Sequence, residues 1–219
     1  MSRPSRRFIV TSTEFFSRAR RGSRSLCRSP LPTSLARLNQ TLVGGGMNER
    51  DDPQIGPAAA DRSPDAWRAG LSRFVNVIPH TRELGLEVEE VSPPWVRMRL
   101  PWRDELLGDT ERGLVHGGVL TMLLDTVCGS AVLCSLPAPE VCPTLDLRVD
   151  HYRPALAGQT IMAEARVLRV TNAMVFTEGT LWQEPGRPIA RGIGNFVRLG
   201  ERNTPEGFAE ALFGETAHA

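Results

Sequence analysis

His116-Gly117-Gly118 opens a long apolar run, and nine residues past the histidine that run carries one carboxylate, Asp125. From Gly117 to Leu133 the other side chains are nearly all apolar: Val119, Leu120, Met122, Leu123, Leu124, Val127, Ala131, Val132 and Leu133. An ionised carboxylate buried there without partners would cost several kcal/mol or more. A sequence tolerates that when the group is paired, reaches water, or works. The bland account is a structural Asp bonded to nearby backbone or threonine groups, and on Asp125 alone the two accounts are evenly matched.

The two glycines add weight to chemistry. At a helix start the first backbone N–H groups have no helical partner, and the positive end of the helix dipole lies behind them. Open amides at Gly117 and Gly118 would suit a carbonyl oxygen that becomes negative. A tight turn before a helix explains the pair equally well if the pair is taken alone.

The two features cannot act together within one chain. Eight residues of helix separate Gly117 from Asp125, about 12 Å along the axis, whereas reacting atoms must come within about 3 Å. A second copy related by a two-fold axis would bring its Asp125 to this copy's Gly117, and would do so twice. If the chain is an enzyme, it is expected to be an obligate dimer with two shared sites.

The surrounding elements follow from periodicity. Ser63-Pro64 is a helix start, with serine as cap and proline in the first turn. Trp67, Leu71, Phe74, Val75 and Ile78 then recur at helical spacing up to Pro79. Residues 84–91 and 95–100 alternate as strands around Pro93-Pro94, and 101–115 reads as a loop. After the apolar helix come strands at 143–152, 158–170, 174–183 and 188–199, the last two joined by a turn at "EPGRP". The order is helix, two strands, long apolar helix, four strands, with a short helix start at Thr204-Pro205. Short turns between consecutive strands imply antiparallel pairing. The fold class is α+β, a curved antiparallel sheet wrapped around one long central helix.

Composition divides the chain. Residues 1–46 carry nine arginines against one acid, Glu14, a net charge of +8; residues 47–219 carry 17 basic and 24 acidic residues, a net charge of −7. Every basic residue is arginine. Residues 1–46 resemble a transit peptide in composition and read as disordered chain, or as a translated leader ahead of a true start at Met47, which an intact mass tests. Residues 47–63 read as a linker, 64–200 as the domain and 201–219 as a C-terminal tail. The acidic domain has no electrostatic pull towards nucleic acid, and no apolar run is long and unbroken enough to span a bilayer. Cys27, Cys128, Cys134 and Cys142 form no Cys-x-x-Cys pair and have no histidine at ligand spacing, so they read as small core residues of a cytoplasmic protein.

"GLVHGGVLTMLLD", "PTLDLRVDHYRPA" and the closing "ARGIGNF" together resemble the hotdog-fold acyl-CoA thioesterases of the phenylacetic-acid-degradation (PaaI-like) family, over residues 64 to 199. The resemblance implies hydrolysis of an acyl-CoA thioester, with no metal and no redox cofactor. It implies that the Gly117 amide polarises the thioester carbonyl and that His116 bonds near it. Asp125 of the partner chain would be general base or nucleophile, with Thr144 orienting the water or the carboxylate. Arg153-Pro154 would lie near the CoA moiety, and Met122 would share core and acyl-pocket roles. It further implies a homodimer, or a homotetramer built as a pair of dimers. Thr110 stands where the family often has Asn, and Asn172 where a basic residue is common. Thr110 keeps a donor at that place but not an amide's donor and acceptor together.

Rival chemistries lack their residues. No Gly-x-Ser-x-Gly turn is present. The four histidines, His80, His116, His151 and His218, are scattered rather than set at zinc spacing. "GIGNF" lies inside a strand, where bulge or close packing explains it better than a dinucleotide loop. The alternative from another class is a hotdog protein that binds an acyl ligand without hydrolysing it. Asp125 argues against it, because a pure binder gains nothing from that residue.

Overall fold

The computed structural model describes residues 62–214. The arginine-rich leader, the start at Met47 and all but the last two residues of the linker lie outside them, as do residues 215–219. Helix α1, Pro64–Val77, starts as its sequence requires: Ser63 Oγ accepts from the Ala66 amide at 3.2 Å, with Pro64 in the first turn. Its apolar stripe buries Trp67, Leu71 and Val75.

Pro79 does more than end α1. It opens a second helix, α2 (Pro79–Leu84), which the sequence reading missed. Ile78 is extended, as a residue before proline prefers, and Gly85 stops the helix in the left-handed region at φ 72°. Strand β1 therefore starts at Glu87 and ends at Ser92, later than expected. It turns at Pro93-Pro94 into β2, Trp95–Leu100.

The expected loop at 101–115 holds a small hairpin, β3 (Leu107–Asp109) and β4 (Leu114–Val115). Helix α3 then runs from Gly117 to Leu133, the span anticipated. Strands β5 (Thr144–His151), β6 (Ile161–Val170), β7 (Met174–Glu184) and β8 (Arg187–Val197) follow.

All neighbouring strands are antiparallel, in the order β1-β2-β6-β7-β8-β5. Helix α3 packs on β2, β6, β7 and β8, which form the middle of the sheet. Leu123, Leu124, Val127 and Ala131 are fully buried beneath it. Each such leucine stabilises the fold by roughly 1.5–3 kcal/mol. The helix approaches closely because two facing strand positions lack side chains. A Cβ on Gly179 would meet Leu124 Cδ2 at 3.1 Å, and one on Gly192 would meet it at 3.3 Å. This is the hotdog architecture that the motif implied.

Strands β1 and β5 are the sheet's two edges. On β5 Leu145 is 65% exposed beside an open hydrogen-bonding edge.

Residues 201–214 turn back onto the domain. After a turn at Glu201–Asn203, helix α4 runs from Phe208 to Phe213, four residues later than the Thr204 start expected. Leu212 is buried, and Phe213 meets the Trp67 ring edge-on at 5.0 Å. Arg73 Nη1 donates to the Leu212 carbonyl at 2.9 Å.

Candidate active site

The fold gathers the chemistry-bearing residues into two clusters. The first surrounds Asp125. Its carboxylate is half-buried rather than fully buried, because that side of α3 faces edge strand β5 instead of the sheet's middle. The Thr144 hydroxyl donates to Asp125 Oδ1 at 2.8 Å. Such a bond fixes the direction of the carboxylate.

Beside this pair opens a cavity of about 210 Å³, walled by Phe74, Leu133, Phe196 and Phe208 with Asp125 and Thr144 at one side. Phe74, one of the residues at helical spacing on α1, thus lines this cavity. Met122 does not line this cavity: Thr126, Gly129 and Leu133 face it from α3. Met122 is partly buried against the core, and its carbonyl accepts from the Thr126 hydroxyl at 2.9 Å.

The second cluster is the start of α3. His116 caps the helix, its Nδ1 accepting from the Gly118 amide at 3.0 Å. In the neutral ring that leaves the proton on Nε2, which is available to a substrate. The Gly118 amide is thus engaged in the cap, not open as expected. The Val119 amide donates to the His116 carbonyl at 3.0 Å. Among the described residues the Gly117 N–H has no partner. A Cβ at Gly117 would meet nothing within 4 Å, so packing within this chain does not demand glycine there.

The β3–β4 hairpin holds this helix start. The His116 amide donates to the Leu106 carbonyl at 2.9 Å, and a Cβ on Gly108 would strike His116 Cα at 2.7 Å. Gly108 is a positioning residue that sequence reasoning passed over, although a glycine in "LLGD" was its signal. Thr110 lies exposed in the turn of that hairpin, and the neighbouring Asp109 Oδ1 accepts from the Glu111 and Arg112 amides.

Arg153 and Pro154 belong to this second cluster. The Val115 amide donates to the Ala155 carbonyl at 2.9 Å, and Ala157 to Gly113 at 2.8 Å, tying residues 153–157 beside the helix start. Arg153, Pro154, Gln183 and Arg187 border a small cleft of about 70 Å³. Thr144, at the other end of β5, stands nine residues from Arg153, roughly 30 Å of extended chain. Asp125 and Thr144 thus stand in one cluster, and His116, Gly117 and Arg153 in the other.

The described cysteines, Cys128, Cys134 and Cys142, do not supply a rival nucleophile. Burial pushes the Cys128 and Cys134 thiols up to about 12 from an ordinary 9.0. The same cause, helped by Glu140, raises Cys142 to about 12. Little thiolate is therefore available at these positions for nucleophilic chemistry. Cys128 and Cys134 should resist iodoacetamide at pH 8 in the folded protein and react fully once it is unfolded. Labelling followed by mass spectrometry checks this, and rapid modification of folded Cys128 would contradict the assigned environment.

These features fit a protein class: the sequence profile of the thioesterase superfamily matches residues 112–190 of this chain. A putative esterase of Halobacterium salinarum is 37% identical over 98 residues, which are 43% of this chain and 64% of that protein's length. The chain thus spans slightly less than two thirds of that relative. The medium/long-chain acyl-CoA thioesterase YigI of Escherichia coli is 26% identical over 137 residues, 57% of this chain and 88% of YigI. A crystal structure of a Pseudomonas aeruginosa protein matches with a TM-score of 0.55 at 40% identity, covering 61% of this chain and 99% of that one. Solved proteins related to phenylacetic acid degradation share the fold.

Proposed function

We propose that the protein hydrolyses an acyl-CoA thioester to a carboxylic acid and CoA in a site shared between two copies of the chain. The observation that carries this is the Thr144–Asp125 hydrogen bond at the mouth of an apolar cavity. A carboxylate held in a fixed direction beside room for an acyl group suits activation of water.

The thioester carbonyl oxygen lies against the Gly117 amide of one copy. Asp125 of the other takes a proton from water as the water oxygen bonds to the carbonyl carbon. Negative charge collects on the oxygen facing Gly117, where the unpartnered N–H and the helix dipole stabilise it. The carbon–sulfur bond then breaks, the acid departs, and the proton held by Asp125 passes to the CoA sulfur. His116 Nε2 stands beside the carbonyl as a second donor. Arg153, on the helix-start half, faces the CoA portion. Neither metal nor redox cofactor takes part.

Edge strand β5 supports the pairing of copies. Two β5 strands placed antiparallel about a two-fold axis would set the Thr144 end of one against the His151–Arg153 end of the other. That joins the two half-sites twice and covers exposed Leu145. A tetramer would repeat this dimer. The compartment in this reading is the cytoplasm; three free thiols, Cys128, Cys134 and Cys142, support it. Among the described residues no helix is long and apolar enough to cross a membrane.

Release of free thiol from a panel of acyl-CoAs tests the reaction. Steady release with at least one member is the expected result. Binding of every acyl-CoA without release would favour a ligand-binding protein instead.

A further inference from the structure

Residues 201–214 return to the cavity beside Asp125, which Phe208 lines. We propose that this C-terminal strap, through Phe208, forms the end wall of the acyl cavity and limits the acyl group to about eight carbons or a single substituted ring. This rests on the thioesterase reading for the identity of the ligand, but not for the shape of the cavity.

The cavity has a direction. Asp125 and Leu133 both face it, eight residues and about 12 Å apart along α3. Residues 141–144 flank it too, with Thr144 at the carboxylate end and Val141 further along. The strap reaches it at the Val141 end: Thr204 Oγ1 accepts from the Val141 amide at 3.0 Å and donates to the Gly200 carbonyl at 3.1 Å. Four residues on, Phe208 lines the cavity.

The strap is fixed on both sides. Beyond Phe208, Leu212 and Phe213 dock on α1 through Trp67 and Arg73. At its root, Arg198 pairs with Glu140, a carboxylate only 2% exposed, and also donates to the Thr171 carbonyl at 3.1 Å. Phe208 is therefore a wall held by its neighbours rather than a loose side chain.

Volume sets the limit. An apolar cavity of about 150 Å³ is known to accept benzene. The 210 Å³ here leaves space for a ring with two or three further carbons, or a chain of about six to eight. A chain of about sixteen carbons needs more than twice that space. The lining is mixed in chemistry: Asp125, Thr144 and His80 are polar, whereas Phe208, Leu133 and Val141 are apolar.

The test uses two readouts on the full-length protein, Phe208→Ala and Phe208→Trp. The first is binding of S-alkyl-CoA thioethers of about four to sixteen carbons, which cannot be hydrolysed. The second is kcat/KM for the matching acyl-CoAs. Each methylene newly buried is worth about fourfold in affinity. Phe208→Ala is therefore expected to raise the preference for about twelve carbons over six by 15- to 60-fold in both readouts, since two to three more methylenes find room. Phe208→Trp, which fills space, is expected to move the limit the other way and guards against an alanine variant that merely loosens the strap. Unchanged length profiles in both variants, or a natural protein that prefers sixteen carbons, would overturn the end wall. Length-selective binding without turnover would keep the wall and remove hydrolysis. Turnover with a profile insensitive to Phe208 would do the reverse. Absence of binding to any thioether would remove both.

Discussion

Replacing Asp125 with asparagine will lower acyl-CoA turnover by about 10²- to 10⁴-fold, the usual contribution of a positioned general base. The Asp125→Asn change keeps the size of the side chain and an oxygen to accept from Thr144. It removes the ability to take a proton from water. The loss should therefore appear in kcat, with KM close to that of the natural protein and the melting temperature within a few degrees. A fall in KM-limited binding alone, with kcat retained, would mean that Asp125 is structural. So would an asparagine variant that turns over within about tenfold of the natural protein, because no general base is that dispensable.

The second large effect is expected at Gly117, and one substitution there deletes little besides the donor. Proline has no N–H, and the first position of a helix is where proline is best tolerated. His116 already holds the extended conformation that precedes proline, with φ −65° and ψ 130°. A side chain at Gly117 meets nothing in this chain. Gly117→Pro should fold normally and lose about 10²- to 10³-fold in kcat, the range for removal of one oxyanion donor. Circular dichroism and thermal melting establish the fold, and single-turnover thiol release reads the chemical step. Full turnover in this variant would assign the oxyanion to some other donor.

Much of this site was legible because it sits on one helix. The run from Gly117 to Leu133 has a glycine pair at its start and an apolar character that no strand period explains, so its ends were found where the structure has them. Helix geometry alone then separated Gly117 from Asp125, so a site that uses both calls for a second copy. Thr144 came from likeness to a family. No local pattern relates it to Asp125, nineteen residues away across a turn and a change of element.

Other parts were hidden for physical reasons. The β3–β4 hairpin has strands of three and two residues, too short to carry a period, so the segment that seats His116 looked like a loop. Pro79 serves as both a stop and a start, and only the stop is visible while the following six residues lack a long apolar stripe. The depth of Asp125 was overstated because periodicity says how apolar a helix is, not which face meets an edge strand. The docking of Leu212 and Phe213 on α1 joins residues some 140 positions apart, as the Arg73–Leu212 bond shows. Contacts of that range leave no trace in a local window, which is why Phe208 was not among the expected site residues.

The central claim is that neither copy holds a complete site, and mixing two inactive variants measures it most directly. Asp125→Asn chains keep Gly117, and Gly117→Pro chains keep Asp125. Each variant alone should be nearly inert. After equal amounts are unfolded together and refolded, about half of the dimers should be mixed, and each mixed dimer regains one of its two sites. The mixture should recover roughly a quarter of the natural turnover per chain, by the two-fold symmetry of the assembly. A mixture confirmed to contain mixed dimers and yet as inert as its parents would contradict the shared site.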